Sequence, residues 1–237
     1  PVVVGEKQDE VAKVFLEKAQ ATNSELVFAS EQWKVDATPS SDGLLDISVE
    51  PLSGEDRKKF DLKLDLVGTY QLKNIKTVLS AVACLRKSGF DISQEHLLSA
   101  LSHVQKLTGF AGRWQTLGLS PLIICDTGHN EDGIREVIRN IRNTSYNKLH
   151  MVIGMVRDKD IHKILQLLPK DAHYYFCQPN IERAKPVEEL AEEASREGLN
   201  GTSYPSVAAA LSAAKDASSA KDLIFVGGST FVVAEIV

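Results

Sequence analysis

Hydrophobic and polar positions change period along this chain, and the changes mark out its elements before any residue is given a role. Pro1-Val2-Val3-Val4-Gly5 predicts a strand ending in a turn. Val11, Val14, Phe15 and Ala19 then fall at helical spacing, and Glu25 to Ala29 predicts a second short strand. From Glu31 to Leu66 the pattern alternates. Leu45-Asp46-Ile47-Ser48-Val49 and the run from Phe60 to Leu66, separated by Pro51, Ser53 and Gly54, predict a hairpin with one wet face. Residues Gln71 to Lys87 carry Ile75, Val78, Leu79, Val82 and Leu85 on one face and stop near Gly89, which predicts an amphipathic helix. A second helix is expected after Ser93 as N-cap, with Gln94 and Glu95 in its first turn, running to about Lys106.

Thr108-Gly109-Phe110-Ala111-Gly112 places two glycines in five residues, the composition of an interdomain connection, so the expected domains are 1–108 and 109–237. Beyond it strands and helices alternate: strand Pro121 to Asp126, helix Asp132 to Asn143, strand His150 to Val156, helix Ile161 to Leu168, strand Ala172 to Cys177. Helices Val187 to Glu197 and Val207 to Ala217 follow, then strand Leu223 to Val226. Such alternation predicts an α/β domain with a mostly parallel sheet covered by helices on both faces.

The 237 residues are 43% hydrophobic, enough for an ordinary core. Net charge is −5 with both signs dispersed, which leaves no basic patch for nucleic acid or an anionic membrane surface. Apolar runs such as Pro121 to Cys125 are far shorter than the ~20 residues of a membrane span. Cys84, Cys125 and Cys177 each lie in an apolar stretch and suit reduced core positions, which favours the cytoplasm. Pro1 to Gly5 lacks the basic segment of a secretory signal and starts in mid-fold, so a piece of a longer chain is expected. A monomer is expected.

In open parallel sheets, ligands bind beyond the carboxyl ends of the strands, where helix N-termini favour anions. The loops at those ends are polar: Asp126-Thr127-Gly128-His129-Asn130, Arg157-Asp158-Lys159-Asp160, Asn180 to Arg183, and Gly227-Gly228-Ser229-Thr230. Singly, Asp126 could be a helix cap, His129 a surface residue, the Asp158 to Asp160 run a solvated turn, and Gly227-Gly228 a matter of backbone geometry. Together they point to a ligand site. The sequence holds no Gly-x-x-x-x-Gly-Lys-Ser/Thr phosphate loop, no Gly-x-Gly-x-x-Gly fingerprint, no Gly-x-Ser-x-Gly elbow and no Cys/His metal spacing.

Gly112-Arg113-Trp114-Gln115, followed by Pro121 to Asn130, resembles the Gly-Arg-(Phe/Met/Trp)-(Glu/Gln) and Asp-Gly-Ala-His-Asn signature of folylpolyglutamate synthase/dihydrofolate synthase, in the Mur ligase superfamily. Val152 to Asp160, Arg183-Ala184, Gly227-Gly228-Ser229 and the helix start Gly68 to Asn74 are similar to further family motifs, so the resemblance covers essentially the whole chain. Departures are Thr127-Gly128 for Gly-Ala, Glu131 for Pro, and Ser229-Thr230-Phe231 for Ser-Leu-Tyr.

The resemblance implies a Rossmann-like, mostly parallel C-terminal domain preceded by the C-terminal part of the family's central ATPase domain. It implies ATP-dependent ligation of L-glutamate to a folate, or to dihydropteroate, through an acyl phosphate, with Mg²⁺. By position, Asn74 would bond the adenine, Asp126 the ribose hydroxyls and Arg113 the phosphate chain. These residue types suit those groups: an amide meets a purine edge, a carboxylate two hydroxyls, a guanidinium a phosphate. His129 is a catalytic candidate, and Arg183 and Ser229 are substrate-binding candidates on the glutamate side. The family's phosphate loop, magnesium ligands and carbamylated lysine would precede Pro1, which implies a folded but inactive fragment. The Thr108 to Gly112 segment would serve as a hinge, though a rigid spacer would be written alike. Two other readings stay open: a Mur-type amino-acid ligase of cell-wall precursors, and a non-catalytic nucleotide-binding module.

Overall fold

The computed structural model describes residues 1–39, 43–53, 58–157 and 161–237. They form two compact units, Pro1–Phe110 and Ala111–Val237.

The first unit opens with β1 (Val2–Val4), α1 (Asp9–Ala21) and β2 (Leu26–Phe28), the two strands pairing in parallel. Helix α1 lies against β2 and buries the small residues Ala12 and Ala19, while Val11, Val14, Phe15 and Leu16 stay exposed. Apolar spacing alone therefore misplaces the buried face of this helix.

After a 3₁₀ turn at Ala29–Glu31, strands β3 (Trp33–Pro39), β4 (Leu45–Pro51) and β5 (Phe60–Leu64) form an antiparallel sheet. The expected hairpin thus gains a third strand, tied to the next helix by Trp33 Nε1–H donating to Ser80 Oγ at 2.9 Å. Gly54, one of its expected breakers, lies outside the described residues. Period-two alternation sends Ile47, Val49, Leu62 and Leu64 to the face packed by α2 (Gln71–Lys87) and α3 (Gln94–Leu101), through Ile75, Leu79, Leu97 and Leu101.

Ser93 caps α3 as expected, in a reciprocal box with His96. The helix then breaks at Ser102–His103, and α4 (Val104–Thr108) restarts because Asp65 Oδ2 accepts the Gln105 N–H at 2.9 Å while Gln105 Nε2–H donates to the Asp65 carbonyl. A residue forty positions away ends one helix and caps the next, which periodicity cannot show.

The second unit contains β6 (Gln115–Leu119), β7 (Leu122–Asp126), α5 (Glu131–Arg142), β8 (Leu149–Ile153), α6 (His162–Leu167), β9 (His173–Cys177), α7 (Val187–Arg196), β10 (Gly201–Tyr204), α8 (Val207–Ala217), β11 (Leu223–Gly227) and α9 (Thr230–Ala234). Its sheet runs β10-β9-β8-β11-β7-β6, parallel throughout except for the β6–β7 edge. This is the expected mostly parallel α/β sheet. Val207, Ala210 and Ala214 of α8, with Val232 and Val233 of α9, cover one face over Ile123, Cys125, Val152, Tyr175, Cys177, Ile224 and Val226. By the same alternation Ile124, Met151, Ile153, Phe176 and Phe225 face the other layer, where α5 to α7 bury Ile134, Val137, Ile141, Leu165 and Leu190. Cys84, Cys125 and Cys177 are free and buried. The structure adds β6, β10 and α9; the two strands are short and polar or glycine-bearing and gain their geometry from β7 and β9.

At the amino end of this sheet, His150 and Asp222 are buried with Nε2 and Oδ2 3.6 Å apart, beyond hydrogen-bond range. His150 Nδ1 lies 3.0 Å from the Tyr175 hydroxyl. Burial pushes the imidazole below its ordinary value against the opposing pull of Asp222, and bonds from the Ser219 N–H and hydroxyl and the Lys148 N–H hold the carboxyl low. Both folded values lie below the unfolded ones. Their stabilisation is therefore complete above the unfolded histidine value of about 6.5, declines as pH falls below it, and declines again below about 4 as Asp222 protonates. Melting curves between pH 7.5 and 5 should show a smaller drop for His150→Asn than for the wild type; equal drops would remove His150 from this account.

Candidate functional site

Gly227 pairs with Asp126 on one side and Ile153 on the other, so the carboxyl ends of β7, β11 and β8 lie level. Ligands of parallel sheets bind at this edge.

Asp126, the last residue of β7, is 1% exposed. Its Oδ1 accepts the Gly128 N–H at 2.7 Å and its Oδ2 the Trp114 N–H at 2.8 Å. Bonds from amides to a carboxylate belong to the stronger class, and these two tie the loop after β7 to the turn before β6. Burial, with the Asp126 charge as the second cause, pushes the Cys125 thiol up to about 12.

Arg113 sits half-buried in that turn, between two residues of positive φ: Gly112 at 79° and Trp114 at 47°. A Cβ at Gly112 would come within 2.7 Å of Val233 Cγ1 and 2.9 Å of Thr127 Cγ2, so glycine is required by space as well as by φ. The Gly112 carbonyl accepts the Thr127 N–H at 2.9 Å, its N–H donates to Gln115 Oε1 at 2.7 Å, and the buried Trp114 ring stacks 6.2 Å from Phe225. A left-handed tryptophan persists only where its surroundings over-determine it, and here four contacts do so.

His129 Nδ1 lies 2.9 Å from the Thr127 carbonyl, which can only accept, so Nδ1 carries the proton in this contact. Asn130 caps α5 through the Gly133 N–H at 2.8 Å. Beyond β11, Gly228 takes a φ of 89°, and the buried Ser229 caps the α9 turn by accepting the Phe231 N–H at 3.2 Å. Met155 to Arg157 pairs with Arg183 to Lys185 through the Arg157 N–H and the Lys185 N–H, which brings the loop after β9 to the end of β8. The exposed Arg183 guanidinium lies 4.7 Å from the centre of the Phe231 ring, a cation–π contact. Asp158, Lys159 and Asp160 lie outside the described residues.

In the other unit, Asn74 occupies the first turn of α2, exposed, with Nδ2–H donating to Oε1 of the buried Gln71 at 2.8 Å. Arg113, Asp126 and His129 are thus gathered by the 112–115 turn and the 126–129 loop, and Arg183 and Ser229 meet at Phe231. Trp114, Gln115, Thr127 and Phe231 carry roles that sequence reasoning missed, since a left-handed backbone and a ring under a guanidinium leave no local signal. Among the described residues, no group of three or more His, Cys, Asp or Glu could hold a metal, and no helix is long and apolar enough to cross a membrane.

The family model for the Mur ligase glutamate ligase domain matches residues 112–230. A probable bifunctional folylpolyglutamate synthase/dihydropteroate synthase of Haloferax volcanii is 31% identical over 183 residues, covering 76% of this chain and 21% of that protein. The dihydrofolate synthase/folylpolyglutamate synthase of Escherichia coli is 31% identical over 159 residues, 66% of this chain and 36% of that protein. The solved structure of E. coli FolC in complex with DHPP and ADP matches with a TM-score of 0.78 at 26% identity, over 100% of this chain and 52% of that one. Mycobacterium tuberculosis folylpolyglutamate synthase complexed with ADP shares the fold, with a TM-score of 0.83 at 20% identity over 98% of this chain and 52% of that one. The chain spans about half the length of these solved chains and less of the two curated relatives. On this sheet topology, these strand-end loops and these matches, the chain belongs to the Mur ligase family, in its folylpolyglutamate synthase/dihydrofolate synthase group.

Proposed function

We propose that the full protein joins L-glutamate to a folate at the expense of ATP, and that dihydropteroate is a second acceptor. The observation that carries this reading is the 112–115 turn, which contains Arg113 and whose Trp114 N–H donates to the Asp126 carboxylate at the end of β7. A carboxylate is a poor electrophile. Transfer of the terminal phosphoryl group of ATP makes an acyl phosphate, and attack by the glutamate amine expels phosphate through a tetrahedral intermediate whose negative charge needs cationic support.

In this reading Arg113 pairs with the phosphate chain and Asn74 with the adenine edge, its amide oriented by Gln71. A carboxylate accepts from two hydroxyls, and in this reading Asp126 takes the ribose. His129 stands at the glutamate side as the catalytic candidate, while Arg183, steadied over Phe231, and the Ser229 O–H bind carboxylate. Among the described residues no group of three or more His, Cys, Asp or Glu could hold a metal, and no step is assigned to Mg²⁺. The 237 residues hold no phosphate loop, and alone they should release no phosphate from ATP.

Phosphate release by the full-length protein, supplied with ATP and L-glutamate, should require dihydropteroate or tetrahydrofolate. Arg113→Ala should lower kcat/KM for ATP about 100-fold, the scale of losing one charge-stabilising group. Turnover confined to a nucleotide-linked muramyl acceptor would transfer the protein to cell-wall synthesis, and no turnover with either acceptor would make it a non-catalytic module.

A further inference from the structure

The turn that carries Arg113 is closed by a side chain to which the chemistry above assigns nothing. Gln115 begins β6, where it pairs with Cys125 across the antiparallel edge. Its side chain returns toward the start of the turn, and Oε1 accepts the N–H of the buried Gly112 at 2.7 Å. The remaining fastenings hold other atoms: Thr127 N–H takes the Gly112 carbonyl, Asp126 takes the Trp114 N–H, and Phe225 packs the Trp114 ring. The Gln115 bond thus joins the residue before Arg113 to the second residue after it, and both flanking residues keep positive φ inside the closed ring.

We propose that Gln115 is a positioning residue for Arg113, fixing the direction of the guanidinium before a nucleotide arrives. This rests on the reading that Arg113 binds the phosphate chain. An orphaned N–H at the buried Gly112 would seek another partner, and the turn would give up its single conformation. Arg113 would then spend binding energy on being ordered, the cost that pre-organisation removes. The need is for an acceptor at one distance: a glutamate carboxylate supplies it, an alanine does not, and an asparagine amide is one methylene short.

The test is a double-mutant cycle on the full-length protein, with Mg-ADP affinity measured by titration calorimetry. Gln115→Ala should weaken binding about tenfold, the worth of one net hydrogen bond. Added to Arg113→Ala it should do nothing further, because there is no guanidinium left to aim. Gln115→Glu should stay within about twofold of the wild type, since its carboxylate accepts the same N–H. If Gln115→Ala does not fold, Gln115→Asn takes its place in the cycle. Wild-type affinity in the Ala or Asn variant, losses that add to those of Arg113→Ala, or a folded Gln115→Glu that binds weakly would each overturn the proposal alone. An Arg113→Ala variant that binds Mg-ADP normally would overturn it together with the nucleotide reading.

Discussion

Asp126→Ala is expected to lower the thermal midpoint of this chain by about 10 °C, whatever its effect on catalysis. The substitution leaves the Trp114 and Gly128 N–H groups without the carboxylate oxygens that accept them at 2.8 and 2.7 Å. An unsatisfied buried N–H costs about 1–3 kcal/mol, so the pair amounts to about 2–6 kcal/mol. At this chain length each kcal/mol moves the midpoint by about 2–4 °C. Trp114 makes the loss larger, because its left-handed φ of 47° depends on that bond. Asp126→Asn should fall between, as its amide oxygen replaces one acceptor while its NH₂ opposes the other N–H. A midpoint for Asp126→Ala within about 2 °C of the wild type, well inside the shift expected, would show that the carboxylate does not organise this corner.

Gly228→Ala is the other substitution with a large expected cost. Its φ of 89° is disfavoured for any residue with a Cβ, by about 1–2 kcal/mol. The added Cβ would also lie 2.8 Å from the Gly154 carbonyl oxygen and 3.2 Å from Ile153 Cγ2. The first of these is backbone at the end of β8 and cannot swing aside, so overpacking adds about 1–3 kcal/mol. Gly109→Ala supplies the control, with a φ of 67° but nothing within 4 Å of the added carbon. It should cost only the conformational part. Urea denaturation should give Gly228→Ala a loss about twice that of Gly109→Ala or more, at unchanged m-value; equal losses would mean that the β8 end yields to the methyl.

Helix α2 shows what local pattern can deliver, since the amphipathic run and the glycine stop predict Gln71 to Lys87 and the helix spans those residues, although Val78 and Leu85 of the expected apolar face stay exposed. The break between α3 and α4 shows where it stops, because Asp65 reaches it from the end of another strand. Edge strands β6 and β10 are short and polar or glycine-bearing; hydrogen bonds to β7 and β9 make them strands, not propensity. Val11, Val14, Phe15 and Leu16 of α1 mark the same limit, because periodicity assigns an apolar face without knowing what meets it.

For the candidate site, polar residues after apolar strands point to one edge of the sheet, and the Gly-Arg-Trp-Gln and Asp-Thr-Gly-His-Asn runs identified the family. Both are matters of residue type at fixed short spacing, which a linear chain carries by itself. That Asp126 is buried and bonded on both oxygens to backbone amides, that Gln115 closes the Arg113 turn, and that Phe231 lies under Arg183, 48 positions earlier, were decided only by the folded chain. Directional contacts between distant residues depend on where a sheet register and a backbone φ place their atoms, and those are properties of the tertiary structure.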